Sequence, residues 1–260
     1  IGRNPRMLKS GRHPPSFYAA MWHDLQAKGS WHGEVWNRHK SGREFIEEVT
    51  INVIRGPDGA VQRHVALFSD ITHKKESENA IWHQANYDSL TGLPNRRMFR
   101  DRLEHELRKA RRGGSTLAIL FIDLDRFKEV NDTLGHDKGD SLLGEAARRI
   151  SDCVRESDTI ARLGGDEFTV ILPAIESPAD VQFVAQKILD ALAVAFPMDQ
   201  ERVFISASIG ITLYPTDAER PEDLIKNADQ ALYAAKNAGR GRFSHFTPAL
   251  QTAALARMRL

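Results

Sequence analysis

Leu117-Ala118-Ile119-Leu120-Phe121-Ile122-Asp123-Leu124-Asp125 is six apolar residues running straight into two acids set one residue apart. The length and composition predict a strand over 117–123, and the two-residue period of a strand puts both carboxylates on one side, where it opens to solvent. Paired acids at a strand end suit a hard divalent cation such as Mg²⁺, which takes one or two carboxylates and completes its shell with oxygens of a bound phosphate. Taken alone, strand-end acids are ordinary solvated loop starters.

Downstream, Thr159-Ile160-Ala161-Arg162-Leu163 and Phe168-Thr169-Val170-Ile171-Leu172 flank Gly164-Gly165-Asp166-Glu167. This predicts a hairpin over 159–173 with a tight glycine turn. Two glycines suffice for the turn. Asp166 and Glu167 directly after them add acids at its mouth, and glycine lets a ligand approach the backbone closely. If this hairpin pairs beside the strand ending in Asp123, up to four carboxylates meet, a cluster that repels itself unless cations neutralise it.

Around these two segments the pattern alternates helix and strand. Helices are expected from the Asn95 cap to about 111, near 126–133 and 138–154, and over 178–195 and 221–238, with a strand over 203–213 and a short last strand. The implied fold is α/β (α+β), a helix-covered sheet. Residues 31–36, 44–51 and 64–68 alternate in strand fashion with turns at Lys40–Arg43 and Gly56–Gly59, which predicts a three-stranded antiparallel meander. A charged helix follows over 73–85, with Ile71, Ile81 and Ala85 as a thin apolar seam.

The 260 residues are 41% hydrophobic and 27% charged with a net charge of +1. That composition excludes disorder and fibrous repeats, and the balanced charge argues against wholesale binding of nucleic acid or of an acidic membrane. The apolar run at 117–122 falls far short of the roughly 20 residues of a membrane helix. A soluble, cytoplasmic piece of a longer protein is expected, one whose parent could carry a membrane anchor. The single Cys153 reads as a small buried side chain. His23, His32, His39 and His64 show no ligand spacing.

Polar groups suited to a nucleotide lie between the acids. Arg126-Phe127-Lys128 opens a helix, whose free N–H groups and positive dipole end favour phosphate. Asn131 and Asp140 offer an amide and a carboxylate, the complementary edge for guanine. Lys236 and Arg240 sit near a glycine helix stop, where cations are also ordinary dipole complements.

These residues carry a resemblance over about 86–246. Asp88-Ser89-Leu90-Thr91-Gly92-Leu93-Pro94-Asn95-Arg96, Phe121 to Lys128, Asn131-Asp132, Gly135-His136, Gly139-Asp140 and Gly164 to Phe168 are similar in content and order to the motifs of GGDEF-domain diguanylate cyclases. The resemblance implies a nucleotide-cyclase, palm-like mixed central sheet flanked by helices, and condensation of two GTP into cyclic di-GMP and two pyrophosphates in a homodimeric site. It implies Mg²⁺, with Mn²⁺ as the alternative ion, held by Asp123, the carbonyl of Leu124, Asp166 and Glu167. It places Asn131, Asp140, His136 and Phe127 around the guanine nucleotide, and Lys128, Lys236 and Arg240 on its phosphates. Asp166, Glu167 and Lys128 are the implied catalytic residues. Arg155 and Asp158, just upstream of Gly164, match the family's inhibitory site for the product.

Earlier residues, Gly11 to Pro15, Trp31 to Gly42 and Asp70 to Lys75, resemble the C-terminal part of a PAS sensor domain, for which no cofactor is assigned. The tail from Phe246 resembles the helix leading into an EAL phosphodiesterase domain. The expected organisation is a partial PAS domain at 1–72, a linker helix at 73–87, the cyclase at 88–246 and the start of a linker at 247–260. The rival reading is a catalytically silent GTP-binding module that regulates an adjacent EAL phosphodiesterase; a second is a signalling scaffold, which leaves the acids and glycines without a role.

Overall fold

The structure, a computed structural model, describes residues 4–198 and 201–257 and divides into two compact units, Ile1–Trp82 and His83–Leu260. The outermost residues of the segments expected at 1–72 and 247–260 lie outside the described residues.

The first unit opens with α1, Pro15–Lys28, which starts behind Pro14 and ends at Gly29, whose φ of 76° lets its N–H reach the Leu25 carbonyl. The sequence reading assigned no element there, because Leu25 is the helix's sole buried residue and leaves no periodic stripe. The meander is present as β1 (Ser30–Arg38), β2 (Glu44–Arg55) and β3 (Val61–Asp70), antiparallel in the order β1-β2-β3. Its strands run longer than the alternation indicated. The next helix, α2, covers Thr72–Asn86 and is fastened to β1 by a Lys75–Glu34 ion pair of 2.7 Å. Of its expected seam, Ile71 is buried but Ile81 is exposed.

In the second unit the elements are α3 (Arg96–Gly113), β4 (Thr116–Leu124), α4 (Phe127–Leu134), α5 (His136–Ser151), β5 (Thr159–Gly164), β6 (Glu167–Ile175), α6 (Pro178–Ala193), β7 (Phe196–Met198), β8 (Glu201–Val203), β9 (Ala207–Tyr214), α7 (Pro221–Asn237), β10 (Phe243–His245) and α8 (Pro248–Arg257). The central sheet has the order β10-β9-β4-β6-β5, with β10 parallel to β9 and the remaining pairs antiparallel. It is therefore mixed, as the sequence implied.

Strand β4 lies in the middle and is buried on both faces. Ala118, Leu120, Ile122 and Leu124 pack with Leu142, Ala146 and Ile150 of α5 and Val181, Ile188 and Leu192 of α6. Leu117, Ile119 and Phe121 pack with Phe99, Leu103 and Leu107 of α3 and Leu224, Ala228 and Leu232 of α7. Burial of each large side chain contributes about 1.5–3 kcal/mol, so the apolar run is what seats the acids that follow it. Strand β9 meets the backbone of α7 at Gly210, where an added Cβ would lie 2.1 Å from the Ala228 carbonyl oxygen and 2.2 Å from the Leu232 nitrogen.

Two expected elements differ. The strand expected over 203–213 is divided: β8 turns away to pair with β7, and β9 begins at Ala207, after Ser206 has accepted the Asp125 N–H at its carbonyl. The helix expected over 138–154 begins at His136 and ends at Ser151.

Candidate active site

The C-terminal end of β4 brings Asp123 level with Glu167 of β6 and Ser208 of β9. Gly164 and Gly165 take φ of 139° and 55°, values that suit glycine, and turn the β5–β6 hairpin so that the Asp166 carbonyl meets the Leu124 N–H at 3.3 Å. Arg162 fixes that turn. Its Nε and Nη2 donate to the Gly165 carbonyl at 2.9 and 2.7 Å, while Nη1 donates to both carboxylate oxygens of Asp88 at 2.9 and 3.0 Å.

Asp123 and Asp166 line one open cleft of about 490 Å³ together with Asp125, Phe127, Lys128, Lys236 and Arg240. Asp123 is only 8% exposed. Burial pushes its carboxyl above the usual carboxylate range, helped by the charges of Asp166 and Asp125, while Lys236 pulls the other way. The Lys236 Nζ stands 2.7 Å from Asp123 Oδ2.

Of the four carboxylates expected to meet, three line the cleft, but Asp125 is already saturated by protein donors and Glu167 is turned away. Asp125 accepts from Ser206 Oγ at 2.6 Å, Ser208 Oγ at 2.7 Å and the Gly241 N–H at 3.1 Å. Its carboxylate braces β4, β9 and the loop carrying Arg240, whose Nε is 4.0 Å away. Glu167 turns to Arg96 of α3, Oε2 to Nη2 3.5 Å, and lines a separate depression with Phe99 and Phe121. Among the described residues no group of three or more His, Cys, Asp or Glu side chains is gathered to cage a metal. Two carboxylates, Asp123 and Asp166, together with the nearby Leu124 backbone, are nevertheless a donor set that suits a hard cation sharing its shell with phosphate oxygens.

Arg126 enters α4 with φ of 60°, a left-handed conformation that costs a non-glycine residue about 1–2 kcal/mol. Phe127 then points into the core and Lys128 stays exposed at the cleft. Asn131, one turn on, has a buried Oδ1 without a hydrogen-bond partner, the kind of orphan acceptor a ligand's N–H satisfies. The room for its amide comes from Gly139 of α5, where a Cβ would lie 1.8 Å from Asn131 Oδ1. His136 and Asp140, both exposed, are one turn apart on α5 and share a face.

Lys236 lies in the last turn of α7 and Arg240 follows in a loop held by Gly241 on Asp125. Arg155 is exposed and gives its backbone N–H to Asp158 at 2.8 Å. Asp158 also lines a shallow groove of about 340 Å³ with Arg102 and His105 of α3. Sequence reasoning missed Arg96, Arg162, Ser206, Ser208, Arg102 and His105. The hydroxyls at 206 and 208 share a strand face by their two-residue spacing, which was a usable signal; Arg162 is claimed by Gly165 of its own hairpin and by the distant Asp88, and for Arg96, Arg102 and His105 the surroundings are set by how α3 docks, which no local pattern encodes.

Fold and cleft together define a mixed α/β domain with a cation-flanked acidic pair at a strand end. The family model for the diguanylate cyclase, GGDEF domain matches residues 85–242, and the chain belongs to that family. It is 48% identical over 168 residues to the diguanylate cyclase TpbB of Pseudomonas aeruginosa, a match that takes in 64% of this chain and 39% of the relative. The solved GGDEF domain of TpbB (YfiN) from Pseudomonas aeruginosa is 44% identical with a TM-score of 0.64, covering 65% of this chain and 99% of that one. The coiled coil and GGDEF domain of DgcB from Caulobacter crescentus, solved in complex with c-di-GMP, is 29% identical with a TM-score of 0.61 over 67% of this chain and 93% of that one. The chain thus spans about two fifths of the length of the curated relative named here. Among the described residues no helix is long and apolar enough to cross a membrane.

Proposed function

We propose that the chain condenses two GTP molecules into cyclic di-GMP and two pyrophosphates, each of two copies holding one nucleotide. The observation that carries this reading is the cleft itself: Asp123 and Asp166 face each other's charge beside Lys128, Lys236 and Arg240, with the orphan Asn131 Oδ1 on the adjoining helix. An acidic pair among cations suits a triphosphate that arrives with Mg²⁺ or Mn²⁺, and an unpaired acceptor suits the N–H edge of guanine. The match to a relative named as a diguanylate cyclase supports the same assignment.

Asn131 and Asp140 orient the base and His136 stands by the nucleotide. Lys128, Lys236 and Arg240 neutralise the phosphates, and Lys128 stabilises charge on the departing pyrophosphate. Asp123 and Asp166, with the Leu124 carbonyl, are the residues that would hold the divalent cation; Glu167, turned toward Arg96, would join them only after moving. Such a cation would supply Lewis-acid polarisation of the α-phosphate and charge neutralisation at the reacting oxygens. Asp166 accepts the proton of the 3′-hydroxyl as its oxygen bonds to the α-phosphorus of the facing GTP and the bond to pyrophosphate breaks. The same exchange in the other direction closes the ring. A single nucleotide cannot reach its own α-phosphorus to give this product, so two copies must meet.

Residues 88–246 are proposed as the cyclase, 73–87 as the linker helix, 1–72 as part of a PAS sensor and 247–260 as the start of a connection to a further domain. The meander with its following helix supports the sensor assignment. Purified protein with GTP and Mg²⁺ is expected to yield cyclic di-GMP at a rate per subunit that rises with protein concentration. Asp166→Ala should remove this turnover and leave the fold intact; normal turnover in that variant sinks the assigned role. GTP binding without product at high concentration would favour the silent regulatory module. We also propose product feedback at Arg155 and Asp158, supported by the relative solved with c-di-GMP. Arg155→Ala should then relieve inhibition by added product at little cost to the initial rate, and inhibition equal to the parent's would remove that site.

A further inference from the structure

We propose that Lys236 serves two anions in turn: it is the counter-ion of Asp123 until a divalent cation replaces it, and it then passes to the triphosphate, so that cation and triphosphate bind as a coupled pair. This rests on the reading above of Asp123 as a cation ligand and Lys236 as a phosphate contact, and it adds what connects them.

The geometry is direct. Lys236 Nζ faces Asp123 Oδ2 at 2.7 Å, a short charge-assisted contact, and the Asp123 side chain is 11% exposed while that of Lys236 is 31% exposed. Asp123 sits close enough to Asp166 and Asp125 to feel both of their charges. A carboxylate this buried and this crowded by like charge needs a cation against it. Asp125 is satisfied by two serine hydroxyls and a backbone N–H. Asp123 has Lys236.

A divalent cation bound to Asp123 would compete with the ammonium for this carboxylate, because two cations crowded on one carboxylate repel. The ammonium has to leave. It stands at the end of α7 on a flexible four-carbon stem, so it can swing without unwinding the helix. With the cation alone, it would swing toward Lys128 and Arg240, which line the same cleft and repel it. With a triphosphate present, the freed ammonium gains a new anion. Each ligand therefore raises the affinity of the other, and by linkage the gain is reciprocal. The ion pair also keeps Asp123 compensated when no nucleotide is present, which holds the strand end in place between turnovers.

The test uses the full chain with Mn²⁺ alone as probe, read from loss of the free-ion paramagnetic resonance signal, and then again with a GTP analogue carrying a methylene between the α- and β-phosphorus. Lys236→Met, and Lys236→Gln as a second variant, are expected to bind Mn²⁺ alone about tenfold more tightly than the parent, since the competing ammonium is gone. The tightening produced by the analogue should shrink in both. Lys128→Met removes the same charge from the cleft without touching Asp123, and is expected to change the affinity less than about threefold. Unchanged Mn²⁺ affinity in both Lys236 variants overturns the exchange, and so does an equal gain in Lys128→Met, which would reflect the general field of the cleft. Product formation by the parent alongside either of those results leaves the cyclase reading standing. Absence of Mn²⁺ binding in every variant, with and without analogue, removes the cation role of Asp123 and this inference with it.

Discussion

Strands β3 and β4 are both rich in large apolar residues, yet they lead opposite lives. In β4, Leu117, Ile119, Leu120 and Ile122 are fully buried, covered by helices on both faces. In β3, Val61, Val65, Leu67 and Phe68 are all exposed, and Leu67 and Phe68, adjacent and therefore on opposite faces, are each 68% exposed. Among the described residues, strand β3 is an edge of a three-stranded sheet, paired with β2 alone. Apolar content alone does not say whether a strand is a core or a rim; the number of layers around it does. The second unit is a three-layer sandwich, with helices on both faces of the sheet that carries Asp123 to the cleft. The first unit rests on a small core of Leu25, Val35, Ile46, Val49 and Ile71.

The largest expected break of this contrast is Gly210→Ala. The new methyl would sit 2.1–2.2 Å from backbone atoms of α7, and backbone cannot step aside as a side-chain tip does. Strand β9 and α7 would have to part, at a cost of about 3 kcal/mol or more, the upper end of what overpacking does to a core. Hydrogen exchange of β4 and β9 amides under native conditions would read the loss as faster exchange in the second unit. Protection equal to the parent's would mean that the helix packs less tightly than the structure has it. Because Lys236 rides on α7 and Ser208 on β9, turnover should fall as well.

Much of the site was legible before the fold was. The alternation that ends in Asp123 and the glycines before Asp166 are local signals, and local signals survive translation into structure: strand, turn and cleft stand where they indicate. What was not legible depends on distant partners. Asp125 looks like the twin of Asp123 in sequence, but its oxygens belong to Ser206 and Ser208, more than eighty residues away. Glu167 follows Asp166 directly, and the strand period sends it to Arg96 of α3. Lys236 reads as a phosphate contact and is found on Asp123. Helix α1 and the three-residue β7 were invisible for a simpler reason, since one buried residue or three residues of strand make no period.

The smallest expected effect lies at the other pole of the comparison. Leu67→Ser removes a large apolar side chain from a strand, a change that would be ruinous at Ile119. At a position that is 68% exposed, little burial is lost. Serine is a weaker strand former than leucine, and a solvated edge tolerates it, so the expected change is within about 0.5 kcal/mol. The measurement is convenient because all four tryptophans fall within the first unit, Trp22, Trp31 and Trp36 on α1 and β1 and Trp82 at its end on α2, so tryptophan emission during urea unfolding follows mainly that unit. A midpoint that stays with the parent's would establish β3 as a solvated rim. A loss of more than about 1 kcal/mol, too large for an exposed site, would mean that Leu67 is covered in solution, by a second copy or by a further stretch of polypeptide. The contrast between the two strands would then be one of which partner supplies the missing layer.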